Sequence, residues 1–260
     1  MLVIMIPNNI DAQKLIDSIL KTQEGLYTEP IGDIKPLSEN YINEFSRNEN
    51  SVKVVFDHAS FKILQISDNI ELLIGHCTED FLRFNILFAF KLFPFEHFNF
   101  AYVWHKWAFS IYYKRGVLMN AKQTLCGVKI RHKDGRIGRV MFRHTPIEMT
   151  ESGLVKVGII SIDDITHLIK GSFYWGRLEC GNIIHHFLST DKKDISHDII
   201  SEREKEILNL IAQGKESKEI GDILFLSSHT VDNHRRNMIS KTGARDTTSL
   251  IQICRMAGII

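Results

Sequence analysis

Asp232, Asn233, Arg236 and Asn237 stand close together in the segment His229–Lys241, and their types are those that read base edges. On a helix, at about 100° per residue, they point away with Ser240, while Val231, Met238 and His234 point inward. Arginine pairs with guanine, asparagine with adenine, and aspartate accepts from the cytosine amino group. Thr230, near the start of such a helix, suits a phosphate oxygen. Lys218, Arg235 and Lys241 supply charge for the rest of a phosphate backbone. An ordinary solvated helix face uses the same residue types. Residues 199–260 hold nine Lys/Arg and eight Asp/Glu, so only the local clustering favours double-stranded DNA as the partner.

Other chemistry is sparse. Cys77, Cys126, Cys180 and Cys254 are far apart, with no C-x-x-C pair and no zinc spacing, and read as free thiols. His97 and His105 match haem ligands by type only, and His185-His186 reads as loop or strand surface. The chain has no Gly-rich phosphate loop and no Ser-His-Asp arrangement, so no enzyme is expected and no catalytic residue is named. The sequence requires no cofactor and leaves a small-molecule ligand open.

The aromatic run Phe84–Phe109 is the chain's other singular stretch. A membrane span needs ~20 mostly apolar residues. Lys91, Pro94, Glu96 and Lys106 exclude one here. From Pro94 the run plots as a helix apolar over most of its circumference. One side should cover a sheet; Phe100, Trp104 and Trp107 are candidates for a ligand wall or a subunit interface. Met1–Pro7 is apolar but lacks a basic start, so the expectation is a cytoplasmic protein without membrane contact.

These residues need elements to hold them. With 260 residues, 44% of them hydrophobic, the chain suffices for two ordinary domains. Residues 1–50 read as a helical segment. Val52–Phe56 and Phe61–Ile66 read as strands, followed by short helices and the aromatic run. Val128–His132, the Lys133-Asp-Gly-Arg136 turn, Ile137–His144 and Leu154–Ile162 read as a three-stranded meander closing near residue 168. Residues 169–198 read as a short hairpin and a polar linker. In 199–260, Ser201 and Glu204 form a capping box, Gly214 ends the first helix, and Ser217 and Ser227 can cap the second and third. A fourth helix begins near Thr247. The tight second-to-third connection is that of a helix-turn-helix.

The run "SEREKEILNLIAQGKESKEIGDILFLSSHTVDNHRRNMISKTG" resembles the LuxR/NarL-type DNA-binding domain without a gap. The resemblance implies that His229–Lys241 is the recognition helix, that Asp232, Asn233 and Arg236 face bases, and that Lys218 and Thr230 meet phosphates. It also implies pairing of two copies through the fourth helix. Gly221 departs from the family's usual alanine and should loosen its helix by up to ~1 kcal/mol. "DHASFKILQISDNIELLIGHCTEDFL" and "KIRHKDGRIGRVMFRHTPIEMTESGLVKVGIISIDDIT" resemble the opening and closing of a PAS domain over 51–168. The fold expected is α+β: a PAS-like antiparallel sheet with helices, then an all-α four-helix helix-turn-helix domain at 199–260. The function implied is a transcription regulator, binding DNA as a homodimer, with RNA polymerase as a further candidate partner. Three alternatives stay open: an acyl-homoserine-lactone receptor, a haem- or flavin-loaded redox or gas sensor, and a sigma-factor-like region.

Overall fold

The computed structural model describes residues 51–94, 121–151, 155–171, 174–188, 194–195 and 198–260. The helices expected in 1–50, and the Pro94-led helix with Phe100, Trp104 and Trp107, lie outside the described residues.

Strands β1 (Val52–Asp57) and β2 (Lys62–Ile66) form an antiparallel pair. Helices α1 (Ile70–Ile74) and α2 (Thr78–Lys91) follow. The Ser67 hydroxyl accepts from Lys53 N at 2.8 Å and donates to Asn69 Oδ1 at 2.7 Å, which fixes the chain's exit from β2. Gly75 then ends α1 at φ 79°, a left-handed cap in which glycine avoids the Cβ penalty.

Strands β3 (Lys122–Arg131), β4 (Ile137–Met149) and β5 (Val155–Asp164) make the meander. In the first turn Gly135 takes φ 87° and Asp134 Oδ1 accepts from Arg136 N at 3.0 Å. At the close of β5, Asp164 Oδ1 accepts from Thr166 N at 2.8 Å, and Thr166 Oγ1 accepts from Arg139 N at 2.8 Å. β3 and β4 both run longer than the apolar runs suggest.

The hairpin read inside the linker is part of the sheet. β6 (Trp175–Cys180), β7 (Ile183–Leu188) and the two-residue β8 (Asp194–Ile195) extend it beyond β3. The result is one eight-stranded antiparallel sheet in the order β2-β1-β5-β4-β3-β6-β7-β8. Past the expected boundary at residue 168, β6 pairs with β3 from Lys122↔Glu179 to Cys126↔Trp175, a long-range pairing invisible in local pattern. His185 and His186, read as loop or strand surface, are both buried on β7.

A bulge at Gly127 divides the sheet's two faces. Cys126 opposes Met141 and Val128 opposes Val140, so one residue is extra, with Gly127 at φ 83°. The bulge turns β3 over. Val128 and Ile130 then join Val54, Phe56, Ile70, Ile74 and Phe81 in a core beneath α1 and α2. Cys126 instead joins Met141, Ile165 and Trp175 on the opposite face.

That opposite face carries the C-terminal helices. They are α3 (Glu202–Ala212), α4 (Ser217–Leu224), α5 (Ser228–Thr242) and α6 (Thr247–Met256). Ile207, Leu208, Ile220, Val231, Met238, Leu250, Ile253 and Cys254 form one continuous core with Cys126, Met141, Ile165, Leu168 and Trp175. Backbone hydrogen bonds stitch the seam: Lys170 N to Gly243 O at 2.9 Å and Arg245 N to Leu168 O at 2.8 Å. Trp175 is fully buried and donates from Nε1 to Thr242 O at 3.1 Å. Arg177 grips Asp198 through two hydrogen bonds of 3.1 Å, and Lys205 of α3 reaches the same carboxylate. Burial raises the Asp198 carboxyl, but Arg177 and Lys205 outweigh it and hold it below the usual range. Asp198, placed by its sequence in a polar linker, is instead the buried joint between sheet and helices.

Among the described residues, no helix is long and apolar enough to cross a membrane.

Candidate nucleic-acid interface

α3 starts as its sequence demands. The Ser201 hydroxyl caps Glu204 N, and Glu204 Oε2 accepts from Ser201 N at 2.9 Å. Lys241, near the end of α5, donates to both Glu204 oxygens at 2.8 Å. Burial raises Glu204, yet Lys241 and Ser201 together hold its carboxyl below the ordinary range. Lys241, expected as a phosphate contact, thus pairs with the buried Glu204 while its own side chain stays partly exposed.

α4 is capped differently from expectation. The N-cap position is Glu216, whose N–H is taken by Glu219 Oε2 at 2.8 Å. Ser217 is the first helical residue, and its hydroxyl is used sideways instead. It donates to Asp232 Oδ1 at 2.6 Å and accepts from Arg235 Nη2 at 3.1 Å. Arg235 is half-buried, with its Nε buried and without a hydrogen-bond partner. It bridges α4 to α5 rather than standing out as a phosphate-seeking charge. Lys218, by contrast, is exposed on the first turn of α4.

The turn between α4 and α5 depends on Gly221. Phe225 N and Leu226 N both donate to Gly221 O, the latter at 2.9 Å. A Cβ at 221 would lie 2.6 Å from Leu226 O. Glycine here makes room for the returning backbone, so the expectation that it merely loosens the helix is corrected.

α5 opens on Ser227, whose hydroxyl accepts from Thr230 N at 3.0 Å and shares a 2.8 Å hydrogen bond with Thr230 Oγ1. Gly243 closes the helix at φ 71°. Val231 and Met238 are fully buried, and His234 is half-buried against the bundle. Asp232, Asn233, Arg236, Asn237 and Ser240 are all exposed on the other side. Arg236 lies back along its own helix, Nη2 on Asn233 Oδ1 at 2.5 Å and Nε on the Asp232 carbonyl at 3.5 Å. Such exposed local bonds are worth about 1 kcal/mol each. Two parallel bonds to a guanine edge offset their release.

The seam with the sheet leaves this face open. It engages the far end of α5, at Thr242 and Gly243, and the buried side of α6. Thr248, Gln252 and Arg255 remain exposed on α6. Among the expected site residues, then, Asp232, Asn233, Arg236 and Asn237 share one exposed face. Lys218 is exposed on the first turn of α4 and Thr230 half-buried on the first turn of α5, while Arg235 bonds Ser217 and Lys241 pairs with Glu204.

Two features escaped sequence reasoning. Phe225 projects from the turn, 94% exposed. His58 and His144 meet inside the first core, Nε2 to Nε2 at 2.8 Å. Neither has a local pattern to announce it. Among the described residues, no group of three or more His, Cys, Asp or Glu is placed to hold a metal ion.

Residues 198–254 match the family model of bacterial regulatory proteins, luxR family. Similar proteins include the transcriptional regulatory protein LiaR of Bacillus subtilis, 38% identical over 68 residues, 26% of this chain and 32% of that protein. The oxygen regulatory protein NreC of Staphylococcus aureus is 32% identical over 93 residues, 34% of this chain and 43% of that protein. The chain thus spans less than half the length of these curated relatives. Among solved structures, the Vibrio cholerae VqmA dimer, a LuxR-type receptor, aligns over 84% of this chain and 87% of its own at 19% identity and TM-score 0.32. The N-terminal domain of a diguanylate cyclase with a PAS/PAC sensor from Marinobacter aquaeolei aligns over 45% of this chain and 96% of its own, at 14% identity and TM-score 0.34. The four helices that follow the sheet are a LuxR-type helix-turn-helix domain.

Proposed function

We propose that the protein is a DNA-binding transcription regulator that reads the major groove with α5. The observation that carries this reading is the division of α5: Val231 and Met238 locked in the core, with Asp232, Asn233, Arg236 and Asn237 exposed together opposite them. Lys218 and Thr230 meet phosphates on either side. The sheet unit is PAS-like and either receives a signal or pairs two copies. Its strand order β2-β1-β5-β4-β3, with α1 and α2 inserted after β2, supports that reading. The regulator works in the cytoplasm as a homodimer on two half-sites, with RNA polymerase as a further partner.

The test is a duplex selected by the wild-type protein from a random-sequence library. Arg236→Ala should weaken binding to it by about 1–3 kcal/mol and relax the preference at one base pair. Equal losses on selected and random duplexes would remove Arg236 from base reading. Lys218→Ala should weaken binding to every sequence and reduce the salt slope by about one. An unchanged slope would remove Lys218 from the phosphate contacts.

A further inference from the structure

Phe225 sets two unfavourable features at one position. It is a non-glycine residue at φ 56°, ψ 46°, and its ring is 94% exposed. The left-handed cap that ends α4 is met most readily by glycine or asparagine. Either would make the same turn without exposing a ring, so the turn does not explain the phenylalanine. Nor does packing: its neighbours Leu224 and Leu226 turn inward onto the C-terminal core, and Phe225 projects out between them. Local strain that the fold itself does not require points to a use outside the fold.

The place of the ring suggests that use. Phe225 stands two residues before Ser227, the N-cap of α5. When the N-terminal residues of a recognition helix contact base edges and the preceding helix crosses the backbone, the turn between them lies at the edge of the groove. Ser227, Ser228, His229 and Thr230 follow, the first three exposed, and no acidic residue occurs between Ile223 and Val231. Hydroxyls and backbone N–H groups at a helix start are suited to phosphate oxygens. In that setting the apolar surface a base pair offers is the thymine C5-methyl group, which apolar side chains contact in the major groove.

We infer that Phe225 is a further DNA-reading residue, its ring packing against a thymine methyl at the edge of the site that α5 reads. The inference rests on the DNA-reading function proposed above. It adds an apolar contact to the polar set on α5 and makes the turn itself a determinant of sequence preference.

The experiment uses full-length protein and the duplex selected by the wild type, with binding followed by fluorescence anisotropy at fixed salt. Each thymine is replaced in turn by deoxyuridine, which removes only the methyl group. One replacement should weaken the wild type about three- to tenfold. Phe225→Gly should bind the unmodified duplex more weakly by a similar factor and be indifferent to that replacement. Phe225→Gly suits the left-handed turn, so its melting temperature should match or exceed the wild type's. The deoxyuridine series on wild type reads the contact without any mutation. Equal affinity of the two proteins, or equal sensitivity of both to every replacement, overturns the inference. Unchanged DNA affinity with lost transcription from a target promoter also overturns it, by assigning the ring to a protein partner. If the wild type selects no duplex, the DNA-reading function falls first and the inference with it.

Discussion

At the residue scale, the buried pair His58 and His144 is the sharpest anomaly of the sheet. Their Nε2 atoms lie 2.8 Å apart, so one ring donates and the other accepts. The rings cross edge to face at 4.8 Å, and Phe56 lies edge-on to His58. Gly158 makes the space, since a Cβ there would stand 2.1 Å from His144 Nε2. Burial pushes His144 down from 6.5 to about 4. Its folded value lies below its unfolded value, so the stability it contributes is present above about 6.5 and lost as the pH falls toward about 4. In that window the unfolded chain takes up a proton that the folded chain refuses. At about 1.4 kcal/mol per unit, the full loss is on the order of 3 kcal/mol. His144→Gln, which cannot titrate, should remove this slope. Urea unfolding at pH 7 and pH 5 should show wild type losing about 2 kcal/mol more than the variant. Equal losses would show that His144 is not held neutral. Neither histidine was legible in the sequence, because the partners are 86 residues apart and each sits in an unremarkable strand.

At the scale of elements, what the sequence makes legible is what is local. The Ser201–Glu204 capping box, the Gly214 stop, the Lys133–Arg136 turn and the inward Val231 and Met238 each follow from residues within a few positions of one another. Ser217 is a good capping residue by type, yet Asp232, 15 positions away, holds its hydroxyl, and Glu216 takes the N-cap position of α4. Charge alone marks Arg235 and Lys241 as phosphate contacts, and their partners in the fold, Ser217 of α4 and Glu204 of α3, lie too far along the chain for local pattern to show. Gly221 shows the same limit in backbone form. On helix propensity alone Gly221→Ala should stabilise by up to ~1 kcal/mol. The structure reverses the sign, because the added Cβ would stand 2.6 Å from the Leu226 carbonyl oxygen, and backbone yields poorly. Overpacking of this kind costs about 1–3 kcal/mol. Gly221→Ala should therefore unfold at a lower urea concentration than wild type. A higher midpoint would show that the turn has room to open.

At the scale of the molecule, the sheet and α5 are one packed body rather than two beads on a linker. The β5–β6 connection pairs with the end of α5 through Ile169↔Ala244, flanked by the Lys170 and Arg245 hydrogen bonds. Nothing local predicts this seam, for Trp175 and Thr242 meet across 67 positions. Its apolar part, Cys126, Met141, Ile165 and Leu168 against Leu250, Ile253 and Cys254, gives cohesion, and the Arg177–Asp198–Lys205 group gives register. A shift of β3 or β6 would thus be passed to the C-terminus of α5 through packed atoms, while the exposed face of Asp232, Asn233, Arg236 and Asn237 stays open. Trp175→Phe tests how far the two parts act together. It keeps most of the apolar ring but leaves the buried Thr242 carbonyl without its donor, at a cost of about 1–3 kcal/mol. If the seam couples the parts, wild type unfolds in a single transition. In the variant, hydrogen exchange at the Lys170 and Arg245 amides should then quicken well before that of the β4 and β5 strand amides. Uniform acceleration across sheet and seam would mean that the two parts share one cooperative unit so firmly that the seam cannot open alone.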